Sequence, residues 1–146
     1  MEQALKKGTV IEDALENGSW KEFEEFCEAV LQEHGWKTKR NYRFKTENRY
    51  EIDVIAIKGD KILAVDCKHW GIRPGKKYQI ISAIKKQNKR AEEFKKIKFF
   101  MDMDKKRDVY PLIVTWFEED VLNQGQTFVV PASKLNTFLL EIDSYI

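Results

Sequence analysis

The sequence predicts an α/β fold of the mixed α+β kind, one mixed central sheet flanked by helices, in a single domain spanning residues 1–146. Three observations predict it. Two near-continuous β-branched and aliphatic runs, 50–57 and 61–68, meet at the tight turn Lys58-Gly59-Asp60-Lys61. Helical periodicities flank that pair instead of alternating regularly with strands, which argues against a purely alternating fold. The length, 146 residues, suffices for one sizeable core but not for two.

The elements follow in order. A short helix is expected over 10–16, closed by Asn17-Gly18. Ser19 and Glu22 then form an S-x-x-E start, in which each side chain can satisfy a free amide of a new helix. Trp20, Phe23, Cys27, Val30 and Leu31 recur at helical spacing up to a stop at Gly35. Residues 36–44 alternate loosely and read as a basic, partly exposed strand, followed by the two strands of the hairpin. Gly71, Pro74 and Gly75 break the pattern before a long helix over 78–96, with Ile80, Ile84, Ala91 and Phe94 along one side. A buried strand is expected at 109–117, with Pro111 near its start, where a missing N–H does least harm. A short strand at 127–130 leads through Pro131 into a final amphipathic helix ending near Glu141.

Composition bounds the function. No apolar run approaches the roughly 20 residues needed to cross a bilayer, and the N-terminus lacks the apolar region of a signal peptide, so a cytoplasmic location is expected. Cys27 and Cys67 read as two small buried thiols in such a compartment. Net charge is only +2, but it is unevenly placed. Residues 1–36 carry nine acidic side chains against three basic, and 101–146 carry eight against four. Between them, 37–49 hold six Lys/Arg against one Glu and 73–98 hold ten against two. A mid-chain excess of this kind suits a polyanion, or else forms a solvated helix face.

The chemistry concentrates in the hairpin. Strand alternation sends Asp66 and Lys68 to one face and Cys67 to the other, and the turn brings Asp53 opposite Asp66. Two carboxylates in a half-buried site repel each other, and a divalent cation relieves that repulsion. Lys68 can then hold a water or a phosphate oxygen. The competing reading is an internal ion pair of Lys68 with the aspartates, a poor structural device because desolvation offsets the attraction.

Asp53, a twelve-residue gap and then Asp66-Cys67-Lys68 resemble the signature of the PD-(D/E)xK nuclease superfamily. The wording "EIDVIA … ILAVDCK", with the preceding helix "FEEFCEAVLQEHGW", is most similar to the Mrr-like restriction endonucleases and the archaeal Holliday junction resolvases. The resemblance runs from about Trp20 to Trp70. Two positions depart from the common pattern: Ile52 stands where Pro often precedes the first aspartate, and Asp66 stands in place of the commoner Glu. The resemblance implies a restriction-endonuclease-like αβββαβ core and a Mg²⁺-dependent endonuclease, with Mn²⁺ substituting and no organic cofactor. It assigns metal binding to Asp53, Asp66 and the backbone carbonyl of Cys67, and a catalytic role to Lys68. It also asks for a glutamate on the preceding helix, where Glu24, Glu25 and Glu28 compete. At roughly 100° per residue, Glu24 lies about 20° beyond the end of the apolar stripe, Glu28 about 60° beyond it, and Glu25 faces away. Counting back from Gly35 also selects Glu24.

The expected partner is DNA, restriction-like or branched, bound by a homodimer with no membrane involved. The basic segments nominate Lys39, Arg40, Arg43, Lys45, Lys85 and Lys89 as phosphate contacts. Gln87 sits within the apolar stripe of the long helix, either reaching the site or a phosphate, or serving as a satisfied core amide. Two other classes compete with the nuclease. A non-catalytic nucleic-acid-binding module should have lost one of Glu24, Asp53, Asp66 or Lys68, yet all four are present. A protein-interaction domain using Trp116 and Phe117 would leave the Asp–Asp–Lys cluster without a purpose.

Overall fold

The apolar stripe begun at Phe23 forms a helix, α1 (Trp20–Glu33), which ends where Gly35 adopts φ 86° and the Trp36 N–H turns back to the Leu31 carbonyl at 3.1 Å. The computed structural model describes residues 20–68, 77–97, 107–116, 122–124 and 126–146. The helix expected over 10–16, the Ser19 cap and the Gly71–Pro74–Gly75 break lie outside the described residues. After α1 come β1 (Lys37–Lys45), β2 (Arg49–Lys58), β3 (Lys61–Lys68), α2 (Lys77–Ile97), β4 (Asp108–Thr115), β5 (Leu122–Gln124), β6 (Thr127–Pro131) and a short α3 (Leu135–Leu140).

The six strands form one sheet in the order β1-β2-β3-β4-β6-β5. β1, β2 and β3 are an antiparallel meander, β3–β4 and β4–β6 are parallel, and β5 closes antiparallel on β6. Gly59, at φ 59°, supplies the positive φ that the two-residue loop between β2 and β3 requires. Pro111 pairs with Ala64 of β3 and precedes the ladder to β6, which starts at Leu112.

Period-two alternation divides the core between the two faces. Phe23, Cys27 and Leu31 of α1 and Leu135 and Phe138 of α3 pack on Val54, Ala56, Leu63, Val65, Cys67 and Val114. The opposite face seats α2: Ala91 and Phe94 on Phe44, Ile52, Ile55, Ile62 and Ala64, and Ile80 and Ile84 on Ile113 and Val129. Each fully buried Phe, Leu or Ile contributes roughly 1.5–3 kcal/mol. No helix of the described residues is long and apolar enough to cross a membrane.

The architecture is the mixed sheet with flanking helices that the sequence predicts, with two corrections. β5 was not expected, because a three-residue edge strand reading Leu-Asn-Gln has no alternation to detect. The final helix is interrupted: a 3₁₀ turn at Ala132–Lys134 follows the extended Pro131, and α3 ends at Leu140 before a second 3₁₀ turn.

One irregularity positions the site. Thr38 and Arg40 of β1 reach Glu28 on α1, whereas Tyr42 and Phe44, of the same parity, pack against Phe94 on α2. The switch falls at Asn41, at φ 52° the one non-glycine residue in the left-handed region among the described residues. The register sets Asn41 opposite Asp53, and both drop out of the ladder between Arg40↔Val54 and Tyr42↔Ile52. The hairpin therefore rolls over at this pair, carrying Ile52 to the α2 face while Val54 stays on the α1 face.

Candidate active site

The β2–β3 ladder runs from Lys58↔Lys61 to Val54↔Val65 and then stops. One further step would pair Asp53 with Asp66, the juxtaposition expected from the turn. Instead the Cys67 N–H donates to Asp53 Oδ2 at 2.9 Å, so a side-chain carboxylate takes a main-chain donor on the side of β3 that faces β2. β3 stays paired to β4 throughout this stretch, Asp66↔Ile113, Cys67↔Val114 and Lys68↔Thr115, and the Trp116 N–H bonds the Lys68 carbonyl at 3.0 Å. The strand holding Asp66 and Lys68 is thus rigid on one side and open on the other.

The opening is a cavity of about 560 Å³ lined by Asp53, Asp66, Cys67 and Lys68 together with Trp20, Arg49, Tyr50, Glu51 and the α2 residues Lys85, Lys86, Lys89 and Arg90. Lys68 Nζ lies 3.0 Å from Asp66 Oδ2 but too obliquely to hydrogen-bond, so this buried oxygen has no hydrogen-bond partner. Arg90 Nη1 stands 3.7 Å from Asp66 Oδ1. Burial, then the neighbouring Asp66 carboxylate, raises the Asp53 pKa to about 7 against the opposing Cys67 hydrogen bond; a hydrogen bond between the two carboxyl groups adds to the rise. Two neighbouring carboxyl groups, one with an unsatisfied buried oxygen, form a donor set suited to a hard divalent cation that keeps several waters.

Burial also separates the three candidate glutamates of α1. Glu25 is exposed and reaches Arg40 at 3.5 Å, and Glu28 accepts from Thr38 and pairs with Arg40. Glu24 is buried, and its pKa is raised by desolvation and, more weakly, by Glu51 and Asp66, against the pull of Arg40. It does not line the cavity. Among the described residues no three His, Cys, Asp or Glu side chains come together at metal-ligand spacing. The Cys67 side chain lies in the core on the α1 face, where a hydrogen bond with Cys27, together with burial, raises its thiol pKa well above the ordinary value. Cys67 therefore meets the site through its main chain.

The nominated phosphate contacts separate into groups. Lys85 and Lys89 line the cavity, and Arg43 and Lys45 line an adjoining groove that shares Arg49, Tyr50 and Glu51 with it. Lys39 lies over the Tyr42 ring at 5.1 Å. Arg40 is engaged by Glu25 and Glu28 on α1, turned away from the cavity. Gln87 is fully buried, donating to the Ala64 carbonyl at 2.8 Å and accepting from Arg90 at 3.1 Å, so it is the satisfied core amide. Arg49 and the pairing of Arg90 with Asp66 were not singled out. Their only sequence signal is membership of the two basic segments.

A family model described as "nuclease-related domain" matches residues 12–116. The chain belongs to the nuclease-related domain family. An uncharacterized protein of Archaeoglobus fulgidus is 27% identical to this nuclease-related domain over 128 residues, covering 87% of this chain and 94% of its own. Among solved structures, the small subunit of the heterodimeric restriction endonuclease R.BspD6I superposes with a TM-score of 0.59 at 11% identity, over 99% of this chain and 80% of that one. A protein of unknown function aligns with a TM-score of 0.49 at 18% identity over 83% and 65% of the two chains. The fold of this nuclease-related domain is restriction-endonuclease-like, and family and fold together support a nuclease function.

Proposed function

We propose that this nuclease-related domain is a metal-dependent endodeoxyribonuclease that hydrolyses DNA phosphodiester bonds, restriction-like or structure-specific. The observation that carries the reading is Asp53 held on the Cys67 N–H beside Asp66, with Lys68 Nζ 3.0 Å from Asp66, in a cavity walled by cationic side chains. Asp53, Asp66 and the Cys67 carbonyl would hold Mg²⁺ or Mn²⁺, with Glu24 acting through an ordered water or a second ion. Bound there, the ion would activate water and offset charge on the phosphate. Lys68 orients the attacking water and neutralises the phosphate. Lys45, Arg49, Lys85 and Lys86 form no ion pair among the described residues, leaving their charge available to the DNA backbone. A homodimer offering two such sites is part of this reading.

The test is incubation with Mg²⁺ or Mn²⁺ and labelled duplex, single-stranded, flap and four-way-junction DNA, with Asp53→Ala in parallel. Cleavage of at least one substrate by the wild type alone is expected. No cleavage of any, with binding retained, would favour a non-catalytic nucleic-acid-binding module. Equal cleavage by the variant would remove the site from the chemistry.

A further inference from the structure

We propose that Arg90 is a ligand of the reacting phosphate and that Gln87 is its positioning residue; this rests on the nuclease reading above. Gln87 is fully buried and both ends of its amide are committed, the nitrogen to the Ala64 carbonyl and the oxygen to Arg90 Nη1. The amide nitrogen can only donate and the amide oxygen can only accept, so these two partners fix the orientation of the side chain. Ala64 lies two residues before Asp66 on β3, on the same face. The Arg90 guanidinium is thereby registered against the strand that carries Asp66 and Lys68.

The contact with Asp66 is not that of a structural ion pair. At 3.7 Å it is longer than a hydrogen bond, and it runs through the same Nη1 that Gln87 holds. Nε and Nη2 have no partner among the described residues, although an arginine recruited to brace a carboxylate presents its fork. Arg90 is partly exposed and lines the cavity beside Lys68. A divalent cation on Asp66 would repel the guanidinium from that carboxylate while leaving it tethered by Gln87. Its two free donor atoms match the spacing of two phosphate oxygens. The Asp66–Arg90 pair is then the resting arrangement of a side chain whose working partner is the substrate.

The experiment compares the full chain with Arg90→Gln, Arg90→Lys, Gln87→Leu and the double variant Arg90→Gln/Gln87→Leu, with folding checked by circular dichroism. Mn²⁺ calorimetry should show affinity unchanged or tightened in Arg90→Gln, since one competing cation is gone. Single-turnover cleavage with Mg²⁺ at saturating DNA should fall on the order of 100-fold, as for removal of one transition-state donor. Arg90→Lys should restore only part of the loss. Gln87→Leu should slow the wild type but cost nothing further in the Arg90→Gln background, because a positioning residue acts only through its partner. A wild-type rate in Arg90→Gln, or a fall in cleavage that merely tracks lost metal affinity, would overturn the assignment. If the wild type cuts no DNA, the nuclease reading fails first. Arg90 is then judged by Ca²⁺-dependent DNA binding in fluorescence anisotropy, where roughly tenfold weakening in Arg90→Gln supports a phosphate contact and unchanged binding refutes it.

Discussion

Asp53 accepts a hydrogen bond from the backbone N–H of Cys67, and the β2–β3 ladder ends at the preceding pair. The carboxylate thereby lies beside β3, next to Asp66, without occupying the core of either face. Substituting it should separate its two roles. Asp53→Asn keeps an acceptor for Cys67 and removes the carboxylate, so the metal-free protein should melt at the same temperature or higher while divalent-ion affinity collapses. Asp53→Ala leaves the Cys67 amide unpaired and should cost about 1–3 kcal/mol as well. Thermal melts in chelator, paired with Mg²⁺ titration, distinguish the two.

The raised Asp53 pKa sets a pH dependence. In the unfolded chain the group ionises near its ordinary 3.8, whereas in the folded chain it holds its proton to about 7. Between those values the folded state binds the extra proton, so this group's contribution to stability falls as pH rises from about 4 to about 7. Metal binding must expel that proton, so Mg²⁺ affinity should rise over the same interval and level off above it. Melting temperatures from pH 4 to 8, with chelator and with Mg²⁺, should diverge as pH rises. Parallel curves would contradict the linkage.

Asn41 should tolerate Gly and resist Val. Its φ of 52° is a conformation that a β-branched residue enters at a cost of roughly 1–2 kcal/mol. Asn41→Val should therefore lower stability by about that amount and, by shifting the opposite residue Asp53, weaken metal binding. Asn41→Gly should leave metal affinity intact. Denaturant melts and calorimetry on both variants check this.

Charge placement predicts which cations meet DNA. Lys85→Glu/Lys86→Glu should weaken DNA binding and reduce the slope of log affinity against log salt by roughly two or more, with no loss of metal affinity. Arg40→Ala should leave that slope unchanged and instead loosen the contact between β1 and α1, where Glu25 and Glu28 hold it. Anisotropy titrations at several salt concentrations separate the two outcomes.

Much of this arrangement is readable from residue order because it depends on local rules. The turn at Gly59 fixes the register of β2 and β3 as far as Val54↔Val65, which brings Asp53 to the level of Asp66, and the helical period places Glu24 at the buried edge of α1 while leaving Glu25 exposed. What could not be read depends on contacts between distant segments. The same alternation rule that orients Asp66 fails across Asn41, because an asparagine in a strand does not announce a left-handed turn. Arg90 and Arg40 look alike in two basic segments, and only the packing of α2 against β3 and of α1 against β1 sends one to Asp66 and the other to Glu28.

In the function proposed above, the parting of β2 from β3 at Asp53 and Asp66 makes a divalent-cation site. Isothermal titration of Mn²⁺ into the wild type and Asp53→Asn at pH 7, repeated in two buffers of different ionisation enthalpy, tests it most directly. Saturable binding to the wild type with proton release, and loss of both in the variant, is expected. Binding of equal affinity in Asp53→Asn, or no saturable binding by the wild type at millimolar metal, would contradict it.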